Sequence, residues 1–158
     1  MTGEDSRRTF TLEEANQRLP LVRAIVQDIV DLFRDISERR DRLATIRARH
    51  GEDSASSTLY SEENEQIEQD LRRDEERLRA FIEELRDLGM ELKDPVKGLV
   101  DFPSKADGRV VYLCWILGEP EVRFWHDLEE GFTGRQPILV ESIAAVDSAA
   151  VDSAEAES

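Results

Sequence analysis

The sequence predicts an α+β protein: a long antiparallel helical hairpin, coiled-coil-like, with a small antiparallel β-sheet packed near its open end. Three observations lead there. Two stretches, Leu21–Ile46 and Ile67–Leu88, repeat apolar residues at alternating spacings of three and four, the seam of paired helices. After Gly89 the pattern changes to short runs of β-branched and aromatic residues. Asp107-Gly108 and Gly118-Glu119-Pro120 divide those runs as turns between paired strands.

The first helical signal is Thr11-Leu12-Glu13-Glu14, a capping box in which Thr11 and Glu14 satisfy each other's backbone N–H. A short helix is expected to about Arg18. Leu19 precedes Pro20, and proline disfavours α geometry in the residue before it, so a second helix is expected to begin at Pro20. Its seam runs from Leu21 through Ile25, Ile29, Leu32, Ile36, Leu43 and Ile46, with Arg39 in the missing slot. Val22, Val26, Val30 and Phe33 widen the apolar stripe in the first half only, so that half needs an additional cover, best supplied by the sheet. Gly51 to Ser57 reads as a flexible connection. The returning helix spans about Ser61 to Leu88, with Ile67, Leu71, Leu78, Phe81, Leu85 and Leu88 in its seam, Asp74 in its gap and Gly89 at its C-terminus.

The seams fit in one register. Ile46 faces Ile67, Leu43 faces Leu71, Ile36 faces Leu78, Leu32 faces Phe81, Ile29 faces Leu85 and Ile25 faces Leu88. The polar exceptions Arg39 and Asp74 then meet in one layer. Such a pair disfavours slipped alignments, which would set each charge against an apolar side chain.

In the second half, Leu99–Phe102 reads as a strand stopped by Pro103, Arg109–Leu117 as a strand, and Val122–His126 as its hairpin partner. Alternation places Glu121, Arg123 and Trp125 on one face and Val122, Phe124 and His126 on the other. The expected organisation is a flexible N-terminus (1–9), a single domain (10–142, of which 10–89 is helical and 90–142 is sheet and C-terminal loop) and a disordered acidic tail (143–158).

Composition narrows the function. With 39% hydrophobic and 36% charged residues, the chain suits helices burying one face better than a thick core. A net charge of −15 argues against a nucleic-acid partner, which needs clustered Lys and Arg. One cysteine, Cys114, excludes an internal disulfide. The N-terminus lacks a signal-peptide apolar run, and no segment approaches the roughly 20 apolar residues that cross a bilayer, so a cytoplasmic protein without membrane contact is expected.

Val110–Ile138 holds both tryptophans, the cysteine and one of two histidines, and is where chemistry would sit. The order CWxxGEPEVRFWH, together with FTLEEANQRLP, GLVDFP and GFTGRQP, resembles a bacterial family catalogued as domain of unknown function 2203 over roughly Phe10 to Ile138. The resemblance implies one domain and no particular reaction. No cofactor motif is present, although a divalent metal is compatible with His126 beside Glu121 and Glu119 (Asp127, Glu129 and Glu130 are also near in sequence). His50, the other histidine, belongs at the distant hairpin end. Arg135, with Arg123 and Trp125, is the candidate ligand or anion set, next to Gly131 and Gly134. Cys114 with His126 as base is a weaker nucleophile candidate, since a cysteine in an apolar strand usually packs as a small hydrophobe. The function expected from these residues is a non-catalytic binding or protein-interaction module, with the hairpin serving a homodimer or a protein partner. The alternative is a metal- or anion-binding enzyme centred on His126, Glu121 and Arg135.

Overall fold

The computed structural model describes residues 8–49, 58–128, 131 and 134–138. The Gly51–Ser57 connection, His50, Glu129, Glu130, residues 1–7 and the acidic tail lie outside them. Helix α1 (Leu12–Arg49) and helix α2 (Thr58–Asp87) are followed by β1 (Glu91–Asp94), β2 (Leu99–Ala106), β3 (Arg109–Ile116), β4 (Phe124–Asp127) and β5 (Gln136–Pro137). The strands form one antiparallel sheet in the order β1-β2-β3-β4-β5.

The capping box forms as the spacing predicts: Thr11 N donates to Glu14 Oε1 at 3.0 Å and Glu14 N to Thr11 Oγ1 at 3.1 Å. The break expected at Leu19-Pro20 does not occur. α1 runs unbroken for 38 residues, roughly 57 Å at the helical rise, with Pro20 inside it. An interior proline costs about 3 kcal/mol through its missing N–H and ring clash. Ala15, Leu19 and Val22 are buried on both sides of it, while Pro20 itself faces solvent. Burying those side chains offsets the local cost, so tertiary packing overrides the backbone preference.

The apolar residues sort into two main clusters. A base cluster contains Val22, Ile25, Val26, Ile29 and Val30 of α1, Leu85 of α2, and Val100, Phe102, Leu113 and Trp115 of the sheet. The sheet therefore covers Val22, Val26 and Val30 of the widened stripe, while Phe33 is half-buried and in neither cluster. Farther out, Leu32, Ile36, Leu43 and Leu71 form a second cluster, joined to the first by Leu78 and Phe81. Leu21, taken as the start of the seam, is 48% exposed, and Val22 takes the inward position instead. Between the outer layers, Arg39 donates to Asp74, flanked by Arg40–Glu75 and by Arg47–Glu68 at 2.6 Å. The Arg39 guanidinium holds the Asp74 carboxyl below its ordinary value, against the opposing effect of desolvation.

Three backbone details seat the sheet. Asp107 and Gly108 both have positive φ, 55° and 81°, as a two-residue turn between right-twisted strands requires. Gly98 (φ 74°) lies so close to α1 and to Leu117, just after β3, that an added Cβ would stand 2.7 Å from Leu117 Cβ and 3.0 Å from Val26 Cγ1 of α1. Pro103 does not end its strand: β2 continues to Ala106, with Pro103 opposite Tyr112. Its carbonyl accepts from Phe10 N at 2.7 Å, so its nitrogen also faces away from β3 and the β2–β3 ladder loses no donor. Ser104 Oγ donates to Phe10 O at 2.6 Å, and the Phe10 ring meets Phe102 edge-on at 5.7 Å.

Gly98→Ala is expected to destabilise the protein by about 2–4 kcal/mol, combining overpacking with left-handed strain. Gly108→Ala, whose Cβ meets nothing within 4 Å, should cost only about 1–2 kcal/mol from strain. Chemical denaturation of both variants checks the difference. A double-mutant cycle on Arg39→Ala and Asp74→Ala is expected to give a coupling of about 0.5–1 kcal/mol at neutral pH, since both side chains are only partly shielded. Because the folded-state pKa of Asp74 is depressed, this coupling is complete above the ordinary carboxylate range and disappears as pH falls through the lowered value. Repeating the cycle at acidic pH checks the sign.

Candidate functional site

Strand alternation divides the sheet into two faces. Val100, Phe102, Leu113 and Trp115 point toward the helices and join the base core, where Trp125 also packs. The residues between them point the other way. Asp101 stands opposite Cys114, Cys114 opposite Phe124, and Tyr112 opposite His126. Three adjacent strands, β2, β3 and β4, thus bring Asp101, Cys114 and His126 together on the face away from the hairpin.

All three are buried, at 2%, 0% and 3% exposure. His126 Nε2 lies 3.1 Å from each Asp101 carboxylate oxygen, and Nδ1 lies 2.8 Å from the Asp127 carbonyl. A carbonyl only accepts, so Nδ1 carries a hydrogen, and a further proton lies between Nε2 and Asp101. The pair is neutral overall whichever partner holds that proton. Burial pushes the Asp101 carboxyl above its ordinary value, against the opposing hydrogen bond from His126. Burial also pushes the Cys114 thiol up to about 12, reinforced by the nearby Asp101 carboxyl. A thiol so raised is a poor nucleophile at neutral pH. The Tyr112 ring, 5.5 Å from the imidazole, helps to cover the group.

The other expected site residues go to different places. Glu119 Oε1 accepts from Arg135 Nη2 at 3.0 Å and from Ile116 N at 3.1 Å. Arg135 also donates to the Cys114 carbonyl at 3.4 Å and stacks 3.9 Å over the Phe124 ring. It therefore straps the segment before β5 to the end of β3, with its charge matched by Glu119. Glu121 and Arg123 are exposed and lie beside each other, 3.3 Å between charged atoms. Trp125 packs on the helix side with the core, opposite in direction to His126. The structure thus separates His126 from Glu119 and Glu121, and Arg135 from Arg123 and Trp125. The alternation expected from Val122 does not extend back from β4, because residues 120–123 form no strand. Val122 N instead donates to Asn16 Oδ1 at 2.7 Å and its side chain joins the helix-side core.

Asp101 escaped the sequence reading. The available signal was one carboxylate in the middle of Leu99-Val100-Asp101-Phe102, a strand with apolar neighbours on both sides. A charge in such a place is rarely left without a partner.

A family model described as "Uncharacterized conserved protein (DUF2203)" matches residues 8–138. No curated protein and no solved structure matches the chain. Among the described residues, no helix is long and apolar enough to cross a membrane.

The burial of Cys114 sets a reactivity test. In native, metal-depleted protein, alkylation of Cys114 by iodoacetamide is expected to be at least about 100-fold slower than in denatured protein, since the thiol is reached only through opening of the sheet. Mass spectrometry of timed samples checks this, and labelling at the denatured rate would contradict it.

Proposed function

The chain belongs to the uncharacterised conserved DUF2203 family, and on that premise we propose that it is a non-catalytic interaction module whose helical hairpin docks a basic, amphipathic segment of a partner protein. One observation carries the reading. Asp28, Asp31 and Asp35 of α1 and Arg77 of α2 line a groove of about 310 Å³ on the hairpin, together with Leu32 and Phe81. It lies where Phe81 joins the two apolar clusters. Asp31 is hydrogen-bonded to Gln27 and Arg34, and Asp35 pairs with Arg39, but all three carboxylates remain solvent-exposed.

Acidic groups spaced along one helix face, with apolar surface between them, complement a segment that alternates cationic and apolar side chains at helical spacing. The net charge of −15 adds a long-range attraction for a cationic partner. A second copy of the chain fits less well. Val22, Val26 and Val30 of the widened stripe that would have served a dimer pack in one core with the sheet, and another acidic groove would repel this one.

The non-catalytic part of the reading is supported by the state of the reactive side chains. Cys114 and His126 are buried on the outer face of the sheet, out of reach of a bulk substrate. Arg135, the candidate for an anion, already holds Glu119 and stacks on Phe124. An anion arriving there would have to displace a carboxylate from a partly buried pair.

Fluorescence anisotropy with a labelled peptide of alternating Lys and Leu at helical spacing tests the proposal. Saturable binding is expected to weaken about tenfold in the Asp28→Asn, Asp31→Asn, Asp35→Asn variant, the combined loss of three exposed charge contacts of about 0.5 kcal/mol each. Affinity should also fall as salt is raised. No saturable binding, or equal affinity in the triple variant, overturns the reading.

A further inference from the structure

The buried face of the sheet holds the materials of a separate site. We propose that Asp101, Cys114 and His126 bind one divalent transition metal of the zinc class, independently of the hairpin groove.

The geometry is that of a ligand set. Three strands contribute one carboxylate oxygen, one sulfur and one imidazole nitrogen, and these donor atoms all lie within 4.8 Å of one another. Metal–ligand bonds of about 2.0–2.3 Å at tetrahedral angles would set the donors about 3.3–3.6 Å apart. The 3.1 Å between Nε2 and each Asp101 oxygen is already close to that edge length. Rotamer shifts of a few tenths of an ångström to about an ångström would admit the ion.

The orientation of His126 is a second, independent observation. Its Nδ1–H is committed to the Asp127 carbonyl, so Nε2 is the nitrogen that faces Asp101 and Cys114 and offers its lone pair once the shared proton has left. A backbone carbonyl on the far nitrogen is the arrangement that orients metal-ligating histidines. Asp127 is itself anchored, because its carboxylate pairs with Arg109 across the β3–β4 ladder.

Charge balance suits the burial. Without metal, the Cys114 thiol keeps its proton and one proton lies between Nε2 and Asp101, so the group is neutral. Binding forms metal–sulfur, metal–oxygen and metal–nitrogen bonds, and the thiol proton and the shared proton leave to solvent. Two positive charges enter and two leave. The thiolate and carboxylate neutralise the divalent ion, so a buried site gains no net charge. A hard ion such as calcium or magnesium prefers all-oxygen ligands and fits this set poorly, whereas zinc and cobalt(II) accept sulfur and nitrogen. Three protein donors leave a fourth position for a small ligand such as water.

Cobalt(II) added to the full-length, untagged protein after chelator treatment is the test. One equivalent should produce sulfur-to-cobalt charge-transfer absorption in the near ultraviolet together with visible bands of tetrahedral intensity. About two protons should be released per ion at neutral pH, read with an indicator dye. Excess zinc should abolish the spectrum by displacement. Cys114→Ser should lose the charge-transfer band, and Asp101→Asn and His126→Gln should each weaken binding at least about tenfold, with circular dichroism confirming that the metal-free variants are folded. Wild-type protein that binds no cobalt, or binds it without the thiolate band, overturns the proposal whether or not any variant folds. A band that survives Cys114→Ser overturns it as well.

Discussion

Everything in this fold follows from one constraint: the proximal half of α1 has more apolar surface than a single partner helix can cover. Ile25 and Ile29 belong to the seam with α2, while Val22, Val26 and Val30 extend the stripe sideways. A coiled-coil seam buries a narrow strip, so the second flank needs another element. The sheet supplies it through Val100, Phe102, Leu113 and Trp115. The close approach at Gly98, where Val26 and Val30 of α1 and Leu117 after β3 leave no room for a Cβ, sets the distance of that contact. Once the sheet is seated, its strand order and alternation determine which residues face the helices and which face outward.

The outward face then has its own problem. A sheet covered by helices on one side would leave Leu99, Cys114 and Phe124 to water on the other. On that side Arg135 stacks on Phe124 and holds Glu119 and the Cys114 carbonyl. Arginine is suited to the task, since its planar head packs on an aromatic face while its N–H groups remain available in the plane. One result of this second cover is the burial of Asp101 and His126. Two polar groups are tolerated there because each meets the other's hydrogen-bonding need and their pair carries no net charge.

The legible part of the sequence was the part governed by periodicity and local chemistry. The seam spacings carried the hairpin and the Arg39–Asp74 layer, the Thr11–Glu14 box carried the helix start, and Asp107-Gly108 carried the turn. Pro20 and Pro103 misled for a shared reason: the rules for proline concern local backbone, and tertiary partners decided both cases. At Pro20 the buried neighbours held the helix together, and at Pro103 the missing donor faced away from the ladder. The site was less legible still. Neighbours in sequence such as Glu119 and Glu121 were the natural companions for His126, but β pairing joins residues far apart along the chain. Asp101 reaches His126 across β3, and that requires the strand register, which short-range alternation cannot provide.

Two of this protein's acid–base pairs show how solvent sets the value of similar chemistry. Arg39 and Asp74 are 23% and 22% exposed, so water screens their attraction and can replace either partner when the other is removed. Their contribution is mainly to alignment, because a slipped hairpin would set both charges against apolar residues. Asp101 and His126 are 2% and 4% exposed, beyond the reach of such replacement. Taking away one member leaves a buried group without its hydrogen bond, at a cost of about 3–5 kcal/mol for an uncompensated charge, and less if the group stays neutral. A pair with that sensitivity is a strong determinant of which atoms meet on the outer face, and Cys114, the only cysteine of the chain, lies against the same two side chains. The constraint that seats the sheet on α1 therefore reaches, through β register, to the place among the described residues where oxygen, nitrogen and sulfur donors converge.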